Sequence, residues 1–122
     1  MKAWICDAFG EEPQWRDVPD PVLQPGQVLI DVAACGVNFA DTLILQGKYQ
    51  KRPSGPFSPG FEVSGTVRAI GDGVTNVKPG DAVMAMPDWG GYAEKVIADA
   101  SLVIALPDGV DVNDAAAFQI AY

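Results

Sequence analysis

Glycine and proline interrupt this sequence so often that long regular elements have little room. The chain carries 13 Gly and 10 Pro among 122 residues, and both residue types tend to end helices and strands. Between them lie short stretches that alternate apolar and polar positions, a period typical of half-buried strands. The length suits one domain with a single core. We therefore expect a mainly β domain built from many short strands.

The alternating stretches and the turns between them predict an antiparallel arrangement. An opening hairpin and five further strands are predicted over residues 2–9, 14–18, 27–35, 61–68, 81–86, 92–98 and 102–106. Pro25-Gly26 suits the central positions of a type II turn before the third strand. Gly71-Asp72-Gly73 lacks the third glycine and the following helix of a phosphate-binding loop, so we interpret it as a hairpin turn. This pattern favours a barrel or sandwich over a doubly wound sheet.

Two segments have helical signals. The first covers 38–47, with Asn38 as N-cap, Asp41 three residues later as its capping-box partner, and Gly47 at the C-terminal position that favours a left-handed conformation. The second begins near Asp111 and runs to Tyr122 without a stop signal. We expect that this helix continues in a longer parent protein.

Charge and residue usage exclude several classes of function. The net charge is −8, which argues against nucleic acid or an anionic membrane surface as a partner. Histidine is absent, so the segment has no Ser-His-Asp triad, Cys-His pair or His-ligated zinc. Cys6 and Cys35 are far apart, and we expect them to be small apolar strand residues. With neither a signal peptide nor a membrane-spanning run, a cytoplasmic location is expected.

A series of short motifs points to a known family. In chain order they occupy 34–41 (ACGVNFAD), 46–49 (QGKY), 59–67 (PGFEVSGTV), 77–83 (VKPGDAV), 90–94 (GGYAE) and 106–109 (LPDG). Together they resemble the N-terminal GroES-like catalytic domain of the medium-chain dehydrogenase/reductase superfamily, and more narrowly its zinc-independent quinone oxidoreductase (zeta-crystallin-like) branch. The resemblance covers residues 1–122 and implies a partly open antiparallel barrel with short helices.

Departures from the zinc-dependent alcohol dehydrogenases imply a site without metal. Those enzymes carry a Cys ligand at the position of Asn38 and a His ligand at the position of Phe61. Neither an amide nor a phenyl ring replaces these ligands. Their four-cysteine structural zinc lobe is also missing, since residues 88–91 read only DWGG. No zinc is therefore expected here.

The resemblance also implies roles for particular residues. Asn38 is expected at the nicotinamide end of the cleft, as a catalytic and cofactor-binding residue, although capping a helix is its simpler role. Tyr49 is expected to be catalytic and substrate-binding, its phenol donating to a carbonyl oxygen; alternatively it is a loop aromatic over the core. Leu43, where some relatives have a second tyrosine, and Phe61 are expected to line the substrate pocket. For Glu62, structural pairing is favoured over acid/base work.

The parent protein is expected to be an NADPH-dependent oxidoreductase. No Gly-x-Gly-x-x-Gly fingerprint occurs in the chain, so a Rossmann domain beyond residue 122 is expected to bind most of the cofactor. The resemblance implies metal-free hydride transfer to a quinone or conjugated carbonyl, in a homodimer, with the isolated fragment inactive. An enoyl-thioester or enone reductase, and a non-catalytic GroES-like binding module, remain alternatives.

Overall fold

Two antiparallel sheets form the framework of the computed structural model, which describes residues 1–48, 53 and 55–121. The described strands are β1 Lys2–Ile5, β2 Gln14–Asp17, β3 Gln27–Cys35, β4 Val63–Ile70, β5 Ala82–Ala85, β6 Lys95–Asp99 and β7 Val103–Ala105. The helices are α1 Phe39–Leu45 and α2 Val112–Ala121, with a 3₁₀ turn at Ala100–Leu102. This confirms the predicted mainly β fold with short helices.

The larger sheet has five strands in the order β6-β3-β4-β5-β7, with β6 and β7 at its edges. Every pair of neighbouring strands in this sheet is antiparallel. The predicted opening hairpin is the second sheet, β1 paired with β2, where Trp4 lies opposite Trp15 with ring centroids 5.5 Å apart. Single bridges from Ala3 to Ala93 and from Cys6 to Phe57 tie this hairpin to the rest of the fold. The result is the partly open arrangement that the sequence predicts.

The main core is built chiefly from small β-branched side chains. Valine suits a pleated, buried surface because its stiff branched side chain packs closely against neighbouring strands. Fully burying one such side chain contributes about 1.5–3 kcal/mol. The buried members of this cluster are Val28, Ile30, Val63, Val67, Val74, Val77, Val83, Ala85, Val96, Ala98 and Val103. A second, smaller cluster consists of Cys6, Ile44 and Phe57, with Leu45 and Phe61 packed against it.

Two strands, β4 and β6, begin two or three residues later than predicted, and both differences have one cause. β4 begins at Val63 rather than at residue 61, and β6 at Lys95 rather than at 92. The segments 58–60 and 90–92, which precede these strands, bond to each other instead. Gly90, Gly91 and Tyr92 donate their backbone N–H groups to the carbonyls of Ser58, Gly60 and Pro59. This irregular pairing places both segments beside the N-terminus of α1.

Helix α2 is fastened to the sheet through a buried hydroxyl. Ser64 of β4 is fully buried, and its Oγ donates to the Val112 carbonyl at the start of α2. Ala115 and Ala116 are also buried on this helix. Within the part of the chain that the structure describes, no helix is both long and apolar enough to cross a membrane.

Candidate functional site

Three segments meet where β3 ends and α1 begins. They are residues 36–41, which contain the N-terminus of α1, residues 58–62 before β4, and the turn 90–92 before β6. Gly36 N–H donates to the Glu62 carbonyl at 2.9 Å, and Gly91 N–H donates to the Gly60 carbonyl at 2.9 Å. Backbone hydrogen bonds thus hold the three segments together.

Asp41 is the carboxylate that joins all three segments. Only 3% of its surface is exposed. Its Oδ2 accepts from the Asn38 backbone N–H at 2.9 Å and from the Tyr92 hydroxyl at 2.8 Å, and its Oδ1 accepts from the Gly60 N–H at 3.2 Å. Buried carboxylates need such donors because an unpaired buried charge is costly. The sequence predicts Asp41 only as a capping-box partner, so its wider role is a finding of the structure.

Asn38 lies at the N-cap of α1, as predicted, with extended backbone (φ −124°, ψ 155°). The Asp41 carboxylate supplies the reciprocal half of the predicted capping box by accepting from the Asn38 N–H. The side-chain Nδ2 of Asn38 donates to Oε1 of Glu62 at 2.8 Å. Glu62 is itself 2% exposed. The Asn38 amide is therefore held by a carboxylate behind it, while Asn38 stays partly exposed.

Close packing at this junction requires glycine at two positions. A Cβ on Gly36 would lie 2.3 Å from Oε1 of Glu62, so any larger residue collides with that carboxylate. Gly60 has φ +98°, and a Cβ there would lie 2.6 Å from the Tyr92 ring and 2.9 Å from Cys35 Sγ. Both glycines thus let polar side chains approach the backbone closely.

Burial raises the pKa of two acids at this junction. The pKa of the Cys35 thiol is raised from 9.0 to about 12, first by burial and second by the negative charge of Asp41. The pKa of the Tyr92 phenol is also raised, by burial and then by its hydrogen bond to Asp41. Cys35 therefore stays a neutral thiol near neutral pH and is no ready nucleophile. Tyr92 stays a donor to Asp41.

The surface around Asn38 is apolar and open. Val37 is 83% exposed and Phe39 is 78% exposed, directly on either side of Asn38. Exposed apolar side chains grouped around one fixed polar group are typical of a ligand-binding or partner-binding surface. Such a surface can receive a flat apolar group and hydrogen-bond one polar atom on it.

The other predicted site residues lie around this junction or outside the described residues. Leu43 lies on α1, partly buried. Phe61 directly precedes Glu62, and its side chain packs against the smaller core cluster of Cys6, Ile44 and Phe57. Tyr49 lies outside the described residues. No contact tests the proposed substrate roles of Leu43, Tyr49 and Phe61, which stay predictions.

Tyr92 is a contact of the site that the sequence does not predict, whereas for Glu62 the sequence predicts structural pairing without naming Asn38 as the partner. Both belong to motifs that carry the family resemblance, GGYAE and PGFEVSGTV. Nothing in the chain order indicates these contacts, because Tyr92 lies 51 residues from Asp41 and Glu62 lies 24 residues from Asn38. Over residues 1–48, 53 and 55–121, no three side chains of His, Cys, Asp or Glu lie close enough together to hold a metal ion.

Comparison with known proteins identifies the family of this fold. The family model described as the alcohol dehydrogenase GroES-like domain matches residues 24–108. Quinone oxidoreductase-like protein 2 of Bos taurus is 44% identical over 104 residues, which are 85% of this chain and 30% of the bovine protein. Among solved structures, the human synaptic vesicle membrane protein VAT-1 homolog-like protein is 37% identical with a TM-score of 0.92, covering 98% of this chain and 40% of that one.

A bacterial enzyme is similar over the same region. The quinone oxidoreductase of Thermus thermophilus, whose structure is known also in complex with NADPH, is 36% identical with a TM-score of 0.84. The match covers 98% of this chain and 37% of that one. The chain spans about a third of the length of the curated relatives it matches. The chain belongs to the alcohol dehydrogenase GroES-like domain family, within the quinone oxidoreductase branch of the medium-chain dehydrogenase/reductase superfamily.

Proposed function

We propose that this chain is the catalytic domain of an NADPH-dependent quinone oxidoreductase that works without a metal ion. The observation that supports this most is the Asn38 amide, held by Glu62 at 2.8 Å beside exposed Val37 and Phe39. Similarity to a quinone oxidoreductase known in complex with NADPH supports the choice of cofactor. The reaction proposed is reduction of a quinone or similar conjugated carbonyl.

The residues at the junction fit one end of a nicotinamide cofactor. A nicotinamide ring is flat and carries a single polar carboxamide, which matches an apolar surface with one oriented amide. Asn38 would hydrogen-bond the carboxamide or the substrate, and Val37 and Phe39 would pack against a ring. NADPH, when bound, supplies the hydride. The contribution of this chain is to orient the reactants and exclude water.

The substrate side of the proposal concerns the oxygen that gains charge. Reduction of a quinone carbonyl places negative charge on that oxygen, and a positioned hydrogen-bond donor stabilises it. We assign this role to the Tyr49 phenol, with solvent supplying the final proton. Leu43 and Phe61 would form apolar walls of the same pocket. The chain has no histidine, so no imidazole of this chain can be the donor.

The proposed function also requires a part of the parent protein that binds the dinucleotide. A dinucleotide needs a strand, a glycine-rich turn and a helix N-terminus for its pyrophosphate. We propose that a Rossmann domain entered through α2 supplies them beyond residue 122. Dimerisation of the parent and a cytoplasmic location belong to this proposal as well.

The test is an assay of the complete protein with NADPH and NADH against quinones, enones and enoyl thioesters. We expect NADPH-dependent quinone reduction. In that assay Asn38→Ser should lower kcat/KM about 10- to 100-fold, because the hydroxyl can still cap α1 but cannot replace the amide. The midpoint of thermal unfolding should fall by a few degrees, because the buried Glu62 carboxylate loses one hydrogen-bond donor.

Asn113→Ala is the matched control, since Asn113 lies exposed at the start of α2; its kcat/KM should equal that of the wild type. Much faster reduction of enoyl thioesters than of quinones would overturn the substrate assignment. Absence of any NADPH oxidation would favour a binding module. An unchanged kcat/KM for Asn38→Ser would remove Asn38 from the site.

A further inference from the structure

Tyr92 connects the turn 90–92 to the start of α1 through its hydroxyl. That hydroxyl donates to Oδ2 of Asp41 at 2.8 Å. The same oxygen accepts from the Asn38 backbone N–H at 2.9 Å. Asp41 is 3% exposed, so solvent has little access to replace either donor. One buried carboxyl oxygen is therefore shared by a phenol and by the backbone of the residue that the proposed function places at the cofactor or substrate.

Tyr92 is itself held firmly in place. Its backbone N–H donates to the Pro59 carbonyl at 2.9 Å, and its carbonyl accepts from the Trp4 N–H at 2.8 Å. Its ring lies against Gly60, where a Cβ would come within 2.6 Å of a ring carbon, so the ring occupies space that only glycine leaves. The phenol thus reaches Asp41 from a backbone that is fixed by hydrogen bonds to two other segments.

The remaining donor to Asp41 does not replace this contact. Gly60 N–H donates to the other oxygen, Oδ1, at 3.2 Å. N–H···O bonds in proteins are most often about 2.9–3.0 Å long, so this contact is longer than usual. With Tyr92 at one oxygen and Gly60 at the other, the carboxyl group is kept facing the Asn38 N–H. Without the hydroxyl, only the longer of the two contacts would hold it.

We propose that Tyr92 is a positioning residue, whose hydroxyl holds the Asp41 carboxyl group against the Asn38 backbone and so fixes the point from which the Asn38 side chain reaches the reactants. This rests on the proposed function, in which that side chain contacts the nicotinamide cofactor or the substrate. Tyr92 acts through Asp41 and Asn38 and needs no contact with either reactant. Loss of its hydroxyl lowers the fraction of complexes in which Asn38 is correctly placed, because small misplacements at a reacting centre reduce the rate.

The first test measures kcat/KM for NADPH-dependent quinone reduction by the complete protein. Tyr92→Phe removes only the hydroxyl and should lower kcat/KM about 3- to 10-fold. In the Asn38→Ser background the same change should lower kcat/KM less than about 1.5-fold, since the amide that Tyr92 positions is already gone. A hydroxyl that only stabilised the fold would have the same effect in both backgrounds.

Ser101→Ala is the matched control. Ser101 is exposed in the 3₁₀ turn, and its hydroxyl also donates to a carboxylate, Oδ1 of Asp99, at 2.9 Å. This variant should leave kcat/KM unchanged in both backgrounds. If Tyr92→Phe does not fold, Asp41→Asn is the second variant. It replaces one accepting oxygen by a donating nitrogen and should lower kcat/KM with the same dependence on Asn38.

The second test requires no turnover. Hydrogen exchange of the same protein, followed by mass spectrometry, should show that the backbone N–H groups of residues 36–41 exchange about 5-fold faster in Tyr92→Phe than in the wild type. β4, where the Val67 N–H donates to the Asp81 carbonyl at 2.9 Å, should keep its wild-type rate.

Three results would overturn the role of Tyr92. They are an unchanged kcat/KM in Tyr92→Phe, a fall in kcat/KM that is equally large with and without the Asn38 amide, and an unchanged rate of exchange over residues 36–41. Absence of NADPH oxidation by the wild type would instead contradict the proposed function.

Discussion

At the scale of single residues, the site depends on groups whose protonation the fold controls. Asp41 accepts three hydrogen bonds while buried, from Asn38, Gly60 and Tyr92. The same carboxylate helps to raise the pKa of Cys35 and of Tyr92. Asp41 is therefore a buried carboxylate surrounded by neutral donors. Such an arrangement keeps the N-terminus of α1 in a fixed position against the other two segments.

Alkaline pH should destabilise the protein through Cys35. The usual thiol pKa of 9.0 applies to the unfolded chain and a pKa of about 12 to the folded one. Below pH 9 both states keep the proton, and the stabilisation is fully present. As pH rises from 9 toward 12 only the unfolded thiol ionises, so stability falls, by at most about 1.4 kcal/mol per pH unit.

The measurement is the free energy of unfolding in urea at about pH 8 and about pH 10.5, for the wild type and for Cys35→Ala. The alanine variant has no thiol to ionise at that position. The difference in the free energy of unfolding between the wild type and the variant should decrease by about 1–2 kcal/mol from the lower to the higher pH. Since Cys6 and Tyr92 titrate in both proteins, they cancel in this difference. If this difference in the free energy of unfolding did not change with pH, the raised pKa of Cys35 would be contradicted.

At the scale of elements, the pairing of β3 with β4 fixes the position of the site. The register shifts between Leu29 and Ile30 and again between Val32 and Ala34. β-bulges bend a strand and locally increase its twist. Beyond the second bulge, Cys35 at the end of β3 pairs with Val63 at the start of β4. The segments after β3 and before β4, which carry Asn38 and Glu62, consequently leave the sheet at the same point.

Gly65 is the residue on which this pairing depends. A Cβ at Gly65 would lie 1.9 Å from the backbone oxygen of Asp31 on β3, and a backbone atom in a sheet cannot yield cheaply. Gly65→Ala should therefore lower the free energy of unfolding by more than about 3 kcal/mol. Urea unfolding followed by circular dichroism measures this.

Gly10→Ala is the matched control for that variant. Gly10 has φ +87°, but a Cβ added there would have no atom within 4 Å. Gly10→Ala should therefore lower the free energy of unfolding only by its backbone strain, about 1 kcal/mol. If Gly65→Ala lowered the free energy of unfolding no more than Gly10→Ala does, the close approach of β3 and β4 would not be what requires glycine at position 65.

At the scale of the whole molecule, we propose that this chain supplies one wall of a cleft. The exposed surface beside Asn38, formed by Val37 and Phe39, is apolar. The chain matches only about a third of the length of its curated relatives. We expect hydride transfer to need the proposed dinucleotide-binding domain as well, because orientation of both reactants requires both walls.

Residues 1–122 alone should therefore show no oxidation of NADPH with a quinone above the rate without protein. The complete protein should show clear turnover in the same assay, followed by the loss of NADPH absorbance. Circular dichroism of the short chain serves as the control that it is folded. Measured turnover by a folded 122-residue chain would contradict the two-domain proposal.

The sequence by itself determined the strand-rich fold, the helix start at Asn38 and the family. These follow from local signals: period-two alternation, Gly and Pro at turns, an N-cap with Asp41 three residues later, and motifs in family order. Even β3 is predicted at its observed bounds, Gln27–Cys35, because its alternating apolar residues are all on one continuous segment.

The tertiary structure alone decided how the site is assembled. The contacts of Asn38 with Glu62 and of Asp41 with Tyr92 join residues that are distant in the chain, and no local pattern encodes such pairs. They arise because the segments 58–60 and 90–92 satisfy their backbone hydrogen bonds with each other instead of extending β4 and β6. The sequence predicts Asn38 as the N-cap of α1, but only the fold brings its side chain to the buried Glu62 carboxylate.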